Sequence, residues 1–103
     1  METETIFDYT QLDELLHSRI RTSIVAILHS VETADFSYLK NRTGASDGNL
    51  STHLRKLEAA EYIGVEKKFI GRKPVTTYWL TEKGREAFKE YINHLERMLN
   101  ITE

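Results

Sequence analysis

The sequence predicts a mainly α-helical domain that carries one β-hairpin. Three observations predict it. Leu50, Leu54 and Leu57 stand at the i, i+4, i+7 spacing of one helical stripe. Ser18–Val31 (SRIRTSIVAILHSV) spaces Ile20, Ile24, Ile27, Leu28 and Val31 on one wide apolar helical face. From Ile63 the period changes. β-branched and aromatic residues crowd Ile63–Ile70 and Val75–Leu80, on either side of the turn sequence Gly71-Arg72-Lys73-Pro74.

A chain of 103 residues is one small domain, and its 40% hydrophobic content allows a modest core. A domain this size is only marginally stable alone, so oligomerisation would help it. Without cysteine there is no disulfide, thiolate metal site or cysteine nucleophile. No apolar run approaches the roughly 18 residues of a membrane span. No basic-then-apolar leader opens the chain, so a cytoplasmic protein with no membrane partner is expected.

The net charge of −2 hides an asymmetry. Residues 1–37 carry two basic and seven acidic side chains, a net of −5. Residues 38–85 carry ten basic and five acidic, a net of +5; residues 86–103 carry two and four, a net of −2. An unevenly charged solvated surface would give the same count. The basic excess, however, lies around the leucine-striped helix, which is the pattern of a polyanion-binding face.

In chain order, Asp8–Leu16 reads as a short helix with Leu12, Leu15 and Leu16 as its apolar side. His17 and Ser18 read as a break or cap before the helix Ser18–Val31. A second, shorter helix starts at Ala34 or Asp35, turns Phe36 and Leu39 inward with Tyr38 as a third candidate, and stops at Gly44. Ser46 is a good N-cap for the next helix, and Asp47 suits its first turn. Two helices joined by a short glycine-containing turn make a helix-turn-helix. The hairpin follows, with a basic tip and the only proline, Pro74, at the tip or at the start of a strand, where no ladder donor is lost. Thr81 caps a last helix running to about Leu99, with Phe88, Ile92, Leu95 and Leu99 at helical spacing beside Tyr91 and Met98.

The leucine-striped helix, Ser46–Tyr62, has an informative far side. At about 100° per residue, Gly48, Thr52, Arg55 and Ala59 lie opposite the leucines, with Asn49 and Lys56 on one flank and Ser51 on the other. A helix that only covers a core more often carries long Glu and Lys there. A small, hydrogen-bonding, basic face suits entry into a DNA major groove. Helices, hairpin and trailing helix together define a winged helix-turn-helix with extra N- and C-terminal helices forming a dimer interface. All 103 residues form one domain: residues 1–17 an extension, 18–81 the core, 82–100 a dimerisation helix.

The run LSTHLRKLEAAEYIGVEKKFIGRKPVTTYWLTEKGREAF resembles the small stand-alone winged-helix transcriptional regulators related to the MarR and ArsR groups. The matching pieces are Leu50-Ser51-x-His53-Leu54-x-x-Leu57, Gly71-Arg72-Lys73 and Tyr78-x-Leu80-Thr81-x-x-Gly84. They are weak singly and fairly specific together, and the resemblance covers roughly residues 12–99. It implies a dimeric DNA-binding repressor or activator. One departure stands out: the family usually has glycine near Glu61 or Tyr62, whereas here Gly64 comes later.

Chemistry assigns the candidate contacts. Asn49 suits an adenine edge, Ser51 and Thr52 a base or phosphate, and Gly48 a close backbone approach beside the Ser46 cap. Arg55 suits guanine or phosphate, and Lys56 phosphate. Arg72 and Lys73 at the wing tip suit the adjacent minor groove or backbone, with Lys40, Arg42, Lys67 and Lys68 as phosphate partners. Any one of these is also an ordinary exposed polar residue; their concentration on one stretch carries the argument. Leu12, Leu15, Leu16, Phe88, Tyr91, Ile92, Leu95, Met98 and Leu99 are the candidate dimer residues. A twofold dimer would set its recognition helices about 34 Å apart, to read a near-palindromic double-stranded site.

His17, His29, His53 and His94 lack ligand spacing and an acidic cluster, so no metal or other cofactor is expected; His53 is expected to pack beside the recognition helix. No nucleophile with a base, glycine-rich phosphate loop or recognisable carboxylate pair is present, so the expectation is a binding protein and not an enzyme. Two other readings stay open. One is a winged-helix protein-interaction module. The other is a regulator with a small-molecule effector near Tyr9, Phe88 and Tyr91 at the dimer helices.

Overall fold

The computed structural model describes residues 12–101 of the chain. The elements run α1 (Arg19–Ser30), β1 (Ala34–Asp35), α2 (Phe36–Thr43), α3 (Asp47–Ala59), β2 (Ile63–Ile70), β3 (Lys73–Leu80) and α4 (Glu82–Ile101). Each helix start has its own cap. Ser18 Oγ accepts the Arg21 N–H, the Asp35 carboxylate accepts that of Tyr38, and Ser46 Oγ accepts that of Asn49. Gly44, at φ 73°, ends α2 by donating its N–H to the Lys40 carbonyl.

The strands form one antiparallel sheet in the order β1-β3-β2. β2 and β3 pair from Ile63–Leu80 out to Ile70–Lys73, which leaves Gly71 and Arg72 as a two-residue hairpin turn. Gly71 takes φ 66°, which a side chain would resist. Leu28, Ile24 and Val25 of α1, Leu39 of α2 and the three leucines of α3 close over Ile63, Tyr78 and Leu80 on one face of this sheet. The core is therefore the point where three amphipathic helices meet the inner half of the hairpin. Its outer half projects beyond.

Four sequence expectations need correction. Residues 12–18 form a turn and not the end of a helix: Leu16 N–H bonds the Asp13 carbonyl and His17 N–H that of Glu14, while Asp13 also caps Leu15. Residues 8–11 of that expected helix lie outside the described residues. Second, Ala34 and Asp35 pair with Tyr78 and Thr77 as a third strand before the helix begins. Third, Lys73 opens β3 and is not part of the turn, and Pro74 takes the second of its two expected places, at the start of that strand. Fourth, Leu16 is fully buried and Tyr91 nearly so within their own chain, so neither offers a surface to a second copy.

Candidate nucleic-acid interface

The two faces of α3 separate as the spacing predicts. Leu50, Leu54 and Leu57 are buried. Gly48, Asn49, Thr52, Arg55 and Lys56 are exposed, as is the Ser46 cap, and Ser51 is half-buried. Burying three leucines contributes roughly 1.5–3 kcal/mol each, so the outward angle of the polar residues is fixed by the core beneath them. His53 flanks the two faces. Its Nδ1 lies 2.8 Å from Nη1 of Arg21 on α1. Burial, then the charges of Arg21 and Lys56, lower its pKa. Arg21 also donates from Nε to the Leu15 carbonyl, and Thr22 donates to that of Leu16. The segment before α1 is thus strapped to the helix that braces α3.

α2 carries two exposed cations, one of which reaches the start of α3. Lys40 Nζ lies 2.8 Å from Asp47 at the start of α3. Both groups are exposed, so the pair is worth about 0–1 kcal/mol; a phosphate can take Lys40 over at little cost. Tyr38, a candidate for the inward side of α2, is exposed instead: Arg42 sits over its ring, 5.6 Å from the centroid, and donates to its Oη at 3.2 Å. These contacts restrict the guanidinium before any anion arrives.

The wing divides the remaining cations. Ile63 and Val65 pack on the core, so strand alternation puts Lys67 and Phe69 on their face and Glu66, Lys68 and Ile70 on the other. Lys67 and Lys68 are both exposed, yet they serve opposite sides of the hairpin. Arg72 sits in the turn and Lys73 opposite Ile70. Phe69 and Ile70 are 71% and 63% exposed at the tip. Sequence reading counted them only as strand. The signal was positional: both lie beyond Val65–Tyr78, the last pair that touches the core.

The hairpin root is built by contact. Thr81 Oγ1 accepts the Gly84 N–H at 3.0 Å and lies 2.7 Å from the Glu61 carbonyl and 3.0 Å from that of Tyr62. It therefore caps α4 while tying it to the end of α3.

The model of the winged helix DNA-binding domain family matches residues 20–99. The chain belongs to that family. An uncharacterized protein of Methanocaldococcus jannaschii is 39% identical over 79 residues, which are 77% of this chain and 86% of that protein. This winged-helix protein is also similar in structure to the transcriptional regulator homologue from Pyrococcus horikoshii, with a TM-score of 0.79, 26% identity and coverage of 85% and 87% of the two chains. The transcriptional regulator BldR from Sulfolobus solfataricus gives a TM-score of 0.67 at 25% identity, over 81% of this chain and 58% of that one. A zinc-responsive MarR family member from Lactococcus lactis gives 0.62 at 25%, over 81% and 56%. The resemblance to MarR-like regulators is thereby supported. No helix among the described residues is long and apolar enough to cross a membrane.

Proposed function

We propose that this winged-helix protein is a homodimeric, sequence-specific regulator of transcription. The observation that carries the reading is the exposed polar and basic outer face of α3, held outward by three buried leucines beneath it. Asn49, Thr52, Arg55 and Lys56 stand on that face, Lys40 of α2 pairs with Asp47 at the start of α3, and Arg42 of α2 and Lys67 and Arg72 of the wing are further exposed cations. α3 would lie in the major groove, with Asn49, Thr52 and Arg55 reaching base edges and Gly48 letting the backbone approach. Ser51 and the α2 and wing cations would hold phosphates.

The dimer is part of the proposal. α4 runs past the core, and Ile92, Met98 and Leu99 are exposed along it. Leu12, Leu15, Phe88 and Leu95 are half-buried beside the core. A second copy related by a twofold axis would cover this stripe and set two α3 helices one DNA turn apart. Similar structures from Pyrococcus horikoshii and Sulfolobus solfataricus are described as transcriptional regulators, which supports the reading.

The deciding experiment selects bound duplexes from a random pool and titrates the winner against random DNA across salt. Specific binding about 10³-fold or more tighter is expected, with affinity falling as roughly the 0.9 power of salt for each phosphate contacted. A winner no better than random DNA ends the sequence-specific reading. A second reading has one observation in its favour: a cleft of about 520 Å³ lined by His17, Ser18, Arg19, Thr22, Ser23 and Tyr91 could admit a small effector. Thermal shift against a panel of metabolites tests it.

A further inference from the structure

The wing tip carries a feature that phosphate contacts do not explain. Of the β2 residues, those from Lys67 to Ile70 are exposed and lie beyond the three-stranded part of the sheet, so the hairpin extends about four residues, or roughly 13 Å at 3.3 Å each, past it. An arm that only gripped phosphates would be basic and polar throughout. This one ends in Phe69, 71% exposed, and Ile70, 63% exposed. Around them stand Lys67, Lys68, Arg72 and Lys73, with no acidic residue between positions 67 and 74. Pro74 faces Phe69 across the ladder, and Gly71-Arg72 closes the turn beside them. The Phe69 backbone is thus held in the ladder opposite a residue whose own φ is fixed by its ring, so ordering it on contact costs little more entropy.

Four cations around two exposed apolar side chains complement a surface that is anionic outside and apolar within. Stacked bases behind a phosphate rail have that character. Apolar side chains carried by basic arms enter the minor groove as wedges, unstack a base step and kink the duplex. Phe69 lies on the core-facing side of the hairpin, the side against which α3 packs, whereas Ile70 lies on the opposite side.

We propose that Phe69 is a wedge that enters the minor groove beside the α3 site and opens one base step, so that the wing selects for easily deformed sequence. Lys67 and Arg72 hold the flanking phosphates while the ring enters. The proposal rests on the DNA-binding reading above, and it adds a specificity-determining residue that makes no base-edge hydrogen bond. Flexible pyrimidine–purine steps flanking the α3 site would be favoured, because they unstack most easily.

The test uses the full chain and a duplex selected from a random pool, with 2-aminopurine placed at successive flanking positions and a donor–acceptor dye pair at the ends. The native protein should raise 2-aminopurine emission at one step and shorten the end-to-end distance. Phe69→Ala should abolish both signals and weaken binding about 5- to 100-fold, the range of one base–aromatic contact. Phe69→Leu should retain the bend, since leucine is also a competent wedge. Phe69→Lys is the sharpest variant: a purely electrostatic wing would bind tighter with it, whereas a wedge is lost. Phe69 is exposed, so an unchanged melting temperature checks that the fold is intact. If Phe69→Ala binds and bends the selected duplex as the native protein does, the wedge is wrong while the DNA reading stands. If the native protein selects no duplex, both fall. Binding to phosphatidylglycerol vesicles that needs Phe69, with duplex binding indifferent to it, would assign the tip to an anionic membrane and overturn the proposal.

Discussion

Nη1 of Arg21 lies 2.8 Å from Nδ1 of His53, so a cation on α1 donates to an imidazole on α3. Arginine can only donate. Nδ1 must therefore accept, and the imidazole is neutral with its proton on Nε2. Burial is the main cause of its lowered pKa, followed by the charges of Arg21 and Lys56.

A pH dependence follows from that pair. The folded pKa of His53 lies below its ordinary value of 6.5, so between the two the unfolded chain binds more protons. The stability this contributes is complete above pH 6.5 and is lost as the pH falls from 6.5 through the folded value. Melting temperatures taken from about pH 7.5 down to about pH 5.5 should therefore decline. His53→Gln keeps an acceptor but cannot titrate, and it should flatten part of that decline. An unchanged profile in the variant would remove His53 from the account.

The end of α3 carries a correctable strain. Glu61 N–H bonds the Glu58 carbonyl and Tyr62 N–H that of Leu57, which together make a Schellman cap. That cap needs a left-handed residue, and Glu61 occupies it at φ 66°. Glycine avoids the Cβ clash but costs more entropy on folding. The exposed Lys83–Glu61 pair, at 3.9 Å, offsets little. Glu61→Gly should therefore stabilise by about 0.5–1 kcal/mol net. A fall in the urea midpoint would contradict it.

Two glycines should respond differently to alanine. A Cβ at Gly84 would stand 2.2 Å from the Tyr62 carbonyl oxygen, a backbone atom held by Thr81. One at Gly64 would stand 2.3 Å from the Trp79 ring, which is half-exposed and can turn aside. Gly84→Ala should cost about 3 kcal/mol or more, and Gly64→Ala about 1–2 kcal/mol. Equal losses by urea titration would show that Trp79 is as fixed as the backbone.

These contacts also mark how much was legible beforehand. The outer face of α3 could be read because its neighbours in space are neighbours in sequence at a fixed helical angle. The caps Ser18, Ser46 and Thr81 could be read because they act within three residues. β1 could not: two residues before a helix carry no period, and Ala34 becomes a strand only by meeting Tyr78. The described end of the helix expected over Asp8–Leu16, residues 12–16, failed for a related reason. Leucines at 12, 15 and 16 fit a helix stripe, yet Leu16 is buried through a turn held by Asp13, Arg21 and Thr22. Asp13 itself is tied to the Tyr62 hydroxyl, whose pKa is pushed up to about 12, chiefly by burial and then by that bond. Such long-range partners leave no local pattern.

The proposed recognition surface predicts separable losses. Arg55 and Thr52 are exposed on the centre of the outer α3 face. Arg55→Ala and Thr52→Ala should each narrow the gap between the selected duplex and its point variants, by about 1–3 kcal/mol at one base pair. Arg72→Ala should weaken all sequences alike and lower the salt slope by roughly one phosphate. If Arg55→Ala weakened every duplex uniformly, Arg55 would be a phosphate contact and base reading would pass to Asn49 or Thr52.

The proposed subunit interface gives the last contrast, because the α4 stripe divides into two groups with opposite expectations. Tyr91 is buried within its own chain, and the Phe88 ring lies 5.4 Å from that of His29 on α1. Ile92 and Leu99, one heptad apart, are 37% and 72% exposed. Charging both, as Ile92→Asp with Leu99→Asp, should leave the monomer fold intact and halve the mass seen by light scattering. Affinity for a two-half-site duplex should fall about 10²-fold or more as the second contact is lost, while binding to a single half-site is unchanged. Leu16→Ala should do the reverse. It opens a cavity in the core, costs about 2–5 kcal/mol, and leaves the mass of the surviving folded protein unaltered. A full-mass double variant would place the interface elsewhere and leave the α4 stripe without a second copy.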